Sequence, residues 1–157
     1  METLRIVHAN NPGDLKAAHR VRTLVFQQEQ GIPQEADFDG LDTDPNTLNF
    51  VAYLNDLNPV GTARVRLLAE RTQAKIERVA VLADVRGKRV GAQLMEAIEE
   101  YLAAQHVPTA FLDSQESAKS FYEKLGYSQE GEPFDEVGIP HVKMAKRILP
   151  QGSSASN

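Results

Sequence analysis

Between Arg86 and Gly91 the chain reads Arg-Gly-Lys-Arg-Val-Gly, placing three cations within four residues and a glycine on either side of the last two. An apolar helical pattern (Val90, Leu94, Ala97, Ile98, Tyr101 and Leu102) starts inside this run, so the basic turn falls at a helix N-terminus. Backbone N–H groups there lack intrahelical partners and carry partial positive charge. Cations at that end oppose the macrodipole by roughly a few tenths of a kcal/mol each, a cost that a solvated surface turn tolerates. A bound phosphate explains more, because it accounts for the charges and also for Gly87 and Gly91, which carry no Cβ where backbone would approach an anion. Neither Gly-x-x-x-x-Gly-Lys-Ser/Thr nor Gly-x-Gly-x-x-Gly is present, so the nucleoside-triphosphate and dinucleotide loops do not apply. Spacing alone leaves an anion site and a decorated surface about equally supported.

Other chemistry is bounded by composition. The chain has no cysteine, which removes disulfide scaffolds, thiolate metal sites and cysteine nucleophiles; no metal is expected. The net charge of -5 opposes a general grip on nucleic acid. Gln34 to Asn46 holds Glu35, Asp37, Asp39, Asp42 and Asp44 with little apolar periodicity. A loop or short helix with solvated carboxylates is expected there, and an amine-binding rim is the sharper reading. The first residues, Met1 to Arg5, lack a basic-then-apolar leader, and no apolar run approaches membrane-spanning length; a cytoplasmic protein with no membrane partner is expected.

The elements that must position these groups follow from pattern. At 157 residues, 41% hydrophobic and 25% charged, the chain reads as one domain over residues 1–149, with a low-complexity flexible tail at 150–157. Leu4–Val7 is a short strand, Asp14 is available as a cap, and a helix is expected from Leu15 to Gln28 on the apolar spacing Leu15, Ala18, Val21, Leu24, Val25. Strands are expected over 47–54, 60–68 and 74–82, the second with Ala63, Val65 and Leu67 buried and Thr62, Arg64 and Arg66 on a polar face. In the third, Lys75 and Glu77 share parity with Val79 and Val81, so one face passes from charged to apolar and a bulge is expected mid-strand. A strand at 109–112, a helix over 117–125 stopped by Gly126, and strands near 127–129 and 141–148 complete a mixed sheet.

Arg86-Gly87-Lys88-Arg89-Val90-Gly91-Ala92 resembles the (Arg/Gln)-x-x-Gly-x-(Gly/Ala) signature of the GNAT family of N-acetyltransferases, with Arg86 at its first position. Ile76 to Val81 is similar to the strand before that loop, and Ala118 to Tyr127 to the family's second motif, so the resemblance spans most of residues 3–148. The segments Val25 to Gln30 and Gly138 to His141 resemble a bacterial subgroup.

The resemblance implies an α+β GNAT-like acyl-CoA N-acyltransferase fold: a central, mostly antiparallel twisted sheet of six to seven strands with helices on both faces. It implies acetyl-CoA as co-substrate, its pyrophosphate on residues 86–92 and its thioester carbonyl polarised by backbone N–H groups of Val79, Ala80 and Val81. It gives Tyr122 the position of the general acid for the leaving thiolate, and Gln115 the position of a pantetheine contact usually made by Asn. Glu77, on the strand bearing the acetyl site, is the first candidate for the base; Glu29 and His141 follow. The acceptor is then an amine of a small molecule or a protein, and a homodimer is compatible with this reading. The alternative is a non-catalytic acyl-CoA-binding module.

Overall fold

In the computed structural model, which describes residues 2–149, seven strands and four α-helices are found among the described residues. Their order is β1 (Leu4–His8), α1 (Pro12–Arg22), a π-helical segment Thr23–Glu29, α2 (Gln34–Asp37), β2 (Thr47–Leu54), β3 (Asn58–Leu68), β4 (Gln73–Val81), α3 (Val90–Ala104), β5 (Thr109–Gln115), α4 (Lys119–Lys124), β6 (Ser128–Glu136) and β7 (Ile139–Arg147). The sheet order is β1-β2-β3-β4-β5-β7-β6. β1–β2, β5–β7 and β6–β7 are antiparallel and β4–β5 is parallel, a mixed and mostly antiparallel sheet. The tail expected at 150–157 lies outside the described residues. Among the described residues, no helix is long and apolar enough to cross a membrane.

Two compact units divide the chain, Met1–Val65 with Arg78–Ile98 and Arg66–Glu77 with Glu99–Asn157. In the first, α1 is capped by Asn11, not Asp14: the Asn11 side chain accepts from the Asp14 N–H at 2.9 Å, and Pro12 occupies the first turn, where its missing donor costs nothing. Ala18 packs on Val51 and Tyr53 of β2, and Val21, Val25 and Phe26 form an apolar cluster with Ala80. The single helix expected to Gln28 instead changes pitch after Arg22. The Gln30 N–H bonds the Val25 carbonyl at 3.0 Å, a five-residue closure that widens the helix.

On the polar face expected for β3, Thr62 and Arg64 are not wet, while Arg66 is half-buried. Thr62 and Arg64 are as buried as Ala63 and Val65, because the Thr62 hydroxyl donates to the Phe50 carbonyl at 2.7 Å and the Arg64 guanidinium meets Asp39 at 2.8 Å. Gly61 faces α3: a Cβ there would stand 2.9 Å from the Leu94 Cδ1 and Val90 Cγ1 atoms. Glycine therefore lets the first turns of α3 lie close on β3.

In the second unit, β5 pairs parallel to β4 from Gln73/Thr109 to Ile76/Leu112 and antiparallel to β7 from Thr109/Arg147 to Gln115/His141. β6 and β7 form a longer hairpin than expected, turning on Val137 (φ 46°) and Gly138 (φ 76°). α4 closes on Gly126 (φ 99°), with the Gly126 N–H on the Glu123 carbonyl and the Tyr127 N–H on the Tyr122 carbonyl, the paired bonds of a Schellman ending.

Candidate active site

The basic turn is built from β4 outward. After Val81 the chain makes a 3-10 turn at Ala83–Val85, and Val85 is buried beneath it. Gly87 then takes φ 87° with open space around its α-carbon, so it is there for its left-handed conformation rather than for room. Arg89 also has positive φ, 64°, and its carbonyl accepts from the Gln93 N–H at 3.0 Å. That bond is the first rung of α3, so the amides of Val90, Gly91 and Ala92 precede the ladder at the positive end of a 15-residue helix. This is a fitting cradle for a diphosphate: an open glycine turn, helix-end amides and three cations in one stretch.

The cations have carboxylate partners. Lys88 lies 3.2 Å from Glu2 and Arg89 3.2 Å from Glu96, in exposed pairs that contribute little and yield readily to a stronger anion. Arg86 differs. Its two terminal nitrogens grip both oxygens of Glu29 at 2.6 and 2.7 Å while Nε donates to the Val81 carbonyl at 3.0 Å. The hydrogen bond from Arg86 holds the Glu29 carboxyl below its ordinary range, and Glu29 in turn raises the Arg86 guanidinium. The Arg86 side chain thus ties the turn to Val81 and Glu29.

The expected mid-strand irregularity in β4 falls at Arg78, which takes φ 55°. A non-glycine residue held there costs of order 1–3 kcal/mol and marks a site over-determined by its surroundings. Downstream of it, Ala80 is buried in the cluster with Val21, Val25 and Phe26, and Val79 and Val81 on either side are half-buried.

In the second unit Tyr122 sits on α4, buried, with its ring edge-on to Phe121 at 4.9 Å and to Tyr127 at 6.0 Å. Burial pushes the Tyr122 phenol well above its ordinary range, so it keeps its proton at any physiological pH. Tyr127 is fixed in turn: its hydroxyl donates to Glu99 at 2.9 Å, and Lys146 bridges Glu99 and the Leu125 carbonyl at 2.7 Å each. Glu77 is largely buried, with Oε1 accepting from Arg66 Nε. Strand pairing sets Gln115 opposite His141. The His141 Nδ1 lies 2.7 Å from the Ile139 carbonyl, its Nε2 3.7 Å from Glu136, and its ring stacks on Phe134. A carbonyl partner at Nδ1 calls for a proton on that nitrogen.

The acidic stretch forms the expected short helix, but not all of its carboxylates are solvated. Asp37 is 2% exposed and bonds Arg22, itself fully buried, at 3.0 Å; Asp42 bonds Arg22 at 2.9 Å and His19 at 3.2 Å; Asp39 takes both ends of Arg64 at 2.8 Å. All three neutralise buried arginines, and Asp37 and Asp42 are thereby withdrawn from any solvated rim. The Arg64 hydrogen bond holds Asp39 well below the ordinary carboxylate range. For Asp42 burial opposes ionisation, but the hydrogen bond from His19 and the Arg22 guanidinium outweigh it. Charges this far apart in sequence carry no joint signal in one chain. The parity switch of β4 points to an irregularity near residue 78 and says nothing of the partners Arg78 finds.

Among the described residues, no cluster of three or more His, Asp or Glu is placed to hold a metal ion. A family model described as an acetyltransferase (GNAT) domain matches residues 30–148. The uncharacterized N-acetyltransferase YjcF of Bacillus subtilis is 35% identical over 144 residues, 91% of this chain and 99% of its own length. The crystal structure of Escherichia coli ElaA superposes with a TM-score of 0.80 at 29% identity, covering 93% of this chain and 99% of that one. An aminoglycoside 6'-N-acetyltransferase complexed with coenzyme A shares the fold with a TM-score of 0.76 at 19% identity, over 94% of this chain and 98% of the other.

Proposed function

Because the chain belongs to the GNAT acetyltransferase family, we propose that it transfers an acetyl group from acetyl-CoA directly to an amine of a small molecule or protein. The observation that carries this reading is the run from the left-handed residue of β4 through the Gly87 turn into α3. It puts strand amides and helix-end amides on one continuous stretch, residues 79–92. In this reading the diphosphate lies on the backbone of residues 87–92, with Lys88 and Arg89 exchanging their exposed carboxylate partners for it. Arg86 holds the turn's shape through Val81 and Glu29.

Chemically, the amine nitrogen attacks the thioester carbonyl carbon, negative charge develops on the oxygen, and the carbon–sulfur bond breaks as the amide forms. Amides of Val79, Ala80 and Val81 are assigned to the developing oxyanion, where a fixed donor needs no reorganisation during reaction. Tyr122 is assigned the proton for the leaving thiolate; burial keeps its phenol protonated before transfer and makes it a weaker donor than an exposed phenol. Glu77 is assigned removal of the amine proton, through the carboxylate that Arg66 orients. That same Arg66 contact favours the second reading, an acyl-CoA-binding module without turnover, since it occupies one oxygen of the base.

Thermal-shift titration with acetyl-CoA, followed by thiol release against a panel of primary amines and lysine peptides, separates these readings. Stabilisation with amine-dependent thiol release is the expected result. Stabilisation without release across the panel selects the binding module, and no stabilisation by either acetyl-CoA or CoA overturns both.

A further inference from the structure

The segment Val79–Val81 is bracketed by two arginines that reach into the same stretch of chain. Upstream, the Arg78 guanidinium donates to the Ala36 carbonyl at 2.9 Å, the Asp37 carbonyl at 3.2 Å and Asp39 Oδ2 at 3.2 Å, with Asp37 Oδ1 at 3.5 Å. Downstream, Arg86 holds the Val81 carbonyl and Glu29. Between them Ala80 packs on Val21, Val25 and Phe26. Every one of those partners except Val81 lies in residues 21–39, and that stretch is itself locked by fully buried Arg22 on Asp37 and Asp42.

We propose that Arg78 is a positioning residue: its tether to Ala36, Asp37 and Asp39 holds β4 in the left-handed turn at residue 78 and thereby fixes the direction of the Val79–Val81 amides. The claim rests on the acetyl-transfer reading, which needs those amides aimed at a thioester oxygen. Three acceptors at different angles suit a planar guanidinium fork; an ammonium on a flexible stem cannot span them together. The acidic stretch that reads in sequence as a landing place for a cationic acceptor is, on this account, the frame of the donor site. Left-handed backbone at a non-glycine residue persists only where neighbours enforce it, and here the neighbours enforcing it are this frame.

Arg78→Gly separates the two parts of the claim, because glycine adopts φ 55° without strain and lacks the guanidinium. Arg78→Lys keeps the charge and loses the fork. Two readouts apply to each variant: kcat and KM for acetyl-CoA, and the infrared carbonyl band of bound acetyl-CoA labelled with carbon-13 at the thioester. A misaimed donor set lowers kcat about tenfold or more while KM for acetyl-CoA stays within about threefold, and the bound carbonyl band moves back toward its position in free acetyl-CoA. Variants that match wild type in kcat and band position overturn the tether while leaving acetyl transfer standing. Failure of both variants to fold assigns Arg78 to stability alone and also overturns it. A wild-type protein that neither binds acetyl-CoA nor shifts its carbonyl band removes the acetyl-transfer reading, and this inference with it.

Discussion

A phenol serves as an acid toward a thiolate only while it keeps its proton, and Tyr122 packs against two aromatic rings in a buried position that raises its pKa. Removing the hydroxyl leaves the ring and its packing intact, so Tyr122→Phe isolates the proton. Steady-state kinetics on this variant are expected to show kcat reduced by about 10²–10⁴-fold, the span of general acid catalysis, with KM for acetyl-CoA little changed. An equal loss in both constants would move Tyr122 from proton donor to binding contact. Arg86 teaches a related lesson at this scale. Its place at the head of a phosphate-binding signature suggests a direct anion contact, yet its nitrogens are committed to Glu29 and Val81. The residue type was readable; its partner, 57 positions away, was not.

α3 is the element on which the donor turn depends, and its seat is Gly61. Adding one methyl there meets Leu94 and Val90 side chains at 2.9 Å, in a region where both are buried. Those are side-chain ends, so they shift rather than block folding, and overpacking of this kind costs about 1–3 kcal/mol. Gly61→Ala is therefore expected to lower the thermal midpoint and, by moving the first turn of α3, to weaken acetyl-CoA binding in calorimetry. Unaltered affinity alongside lower stability would show that the helix start is held by the turn and not by its seat on β3. The β6–β7 hairpin was harder to read from sequence for a reason visible in its residues. β6 is almost wholly exposed, so it lacks alternation, and Gly131 and Pro133 interrupt it as they do in edge strands. Its turn also uses Val137 at positive φ, which a β-branched residue seldom adopts.

At the scale of the whole molecule, stability should carry a signature of the arginine–aspartate network. Asp39 and Asp42 have folded-state pKa values held well below the unfolded value of about 3.9. The unfolded chain therefore takes up protons first as pH falls. Their contribution is complete above about pH 5 and is lost progressively as pH drops through 4 toward the folded values. Thermal midpoints measured from pH 7 to pH 2 should fall along that acid limb, and Asp42→Asn should both lower the neutral plateau and flatten the limb. A variant limb as steep as wild type's would assign acid sensitivity to other carboxylates. Arg22 and Asp37, fully or almost fully buried, set the size of the effect when the network is cut: removing one partner of a buried pair costs about 3–5 kcal/mol.

Local chemistry was determined by the sequence itself. Glycine and charge at residues 86–91, apolar spacing from Val90 to Leu102, the parity switch around residue 78 and the Gly126 stop each reflect forces between near neighbours, and near neighbours are written side by side. Tertiary structure decided which charges are spent. Five carboxylates within ten residues look like an open acidic surface until Arg22, Arg64 and Arg78 arrive from α1, β3 and β4 to pair with three of them. Ion pairing is set by distance through space, and burial multiplies its strength by excluding water. Neither quantity has a period along the chain, so the frame behind the donor turn emerged only from the fold.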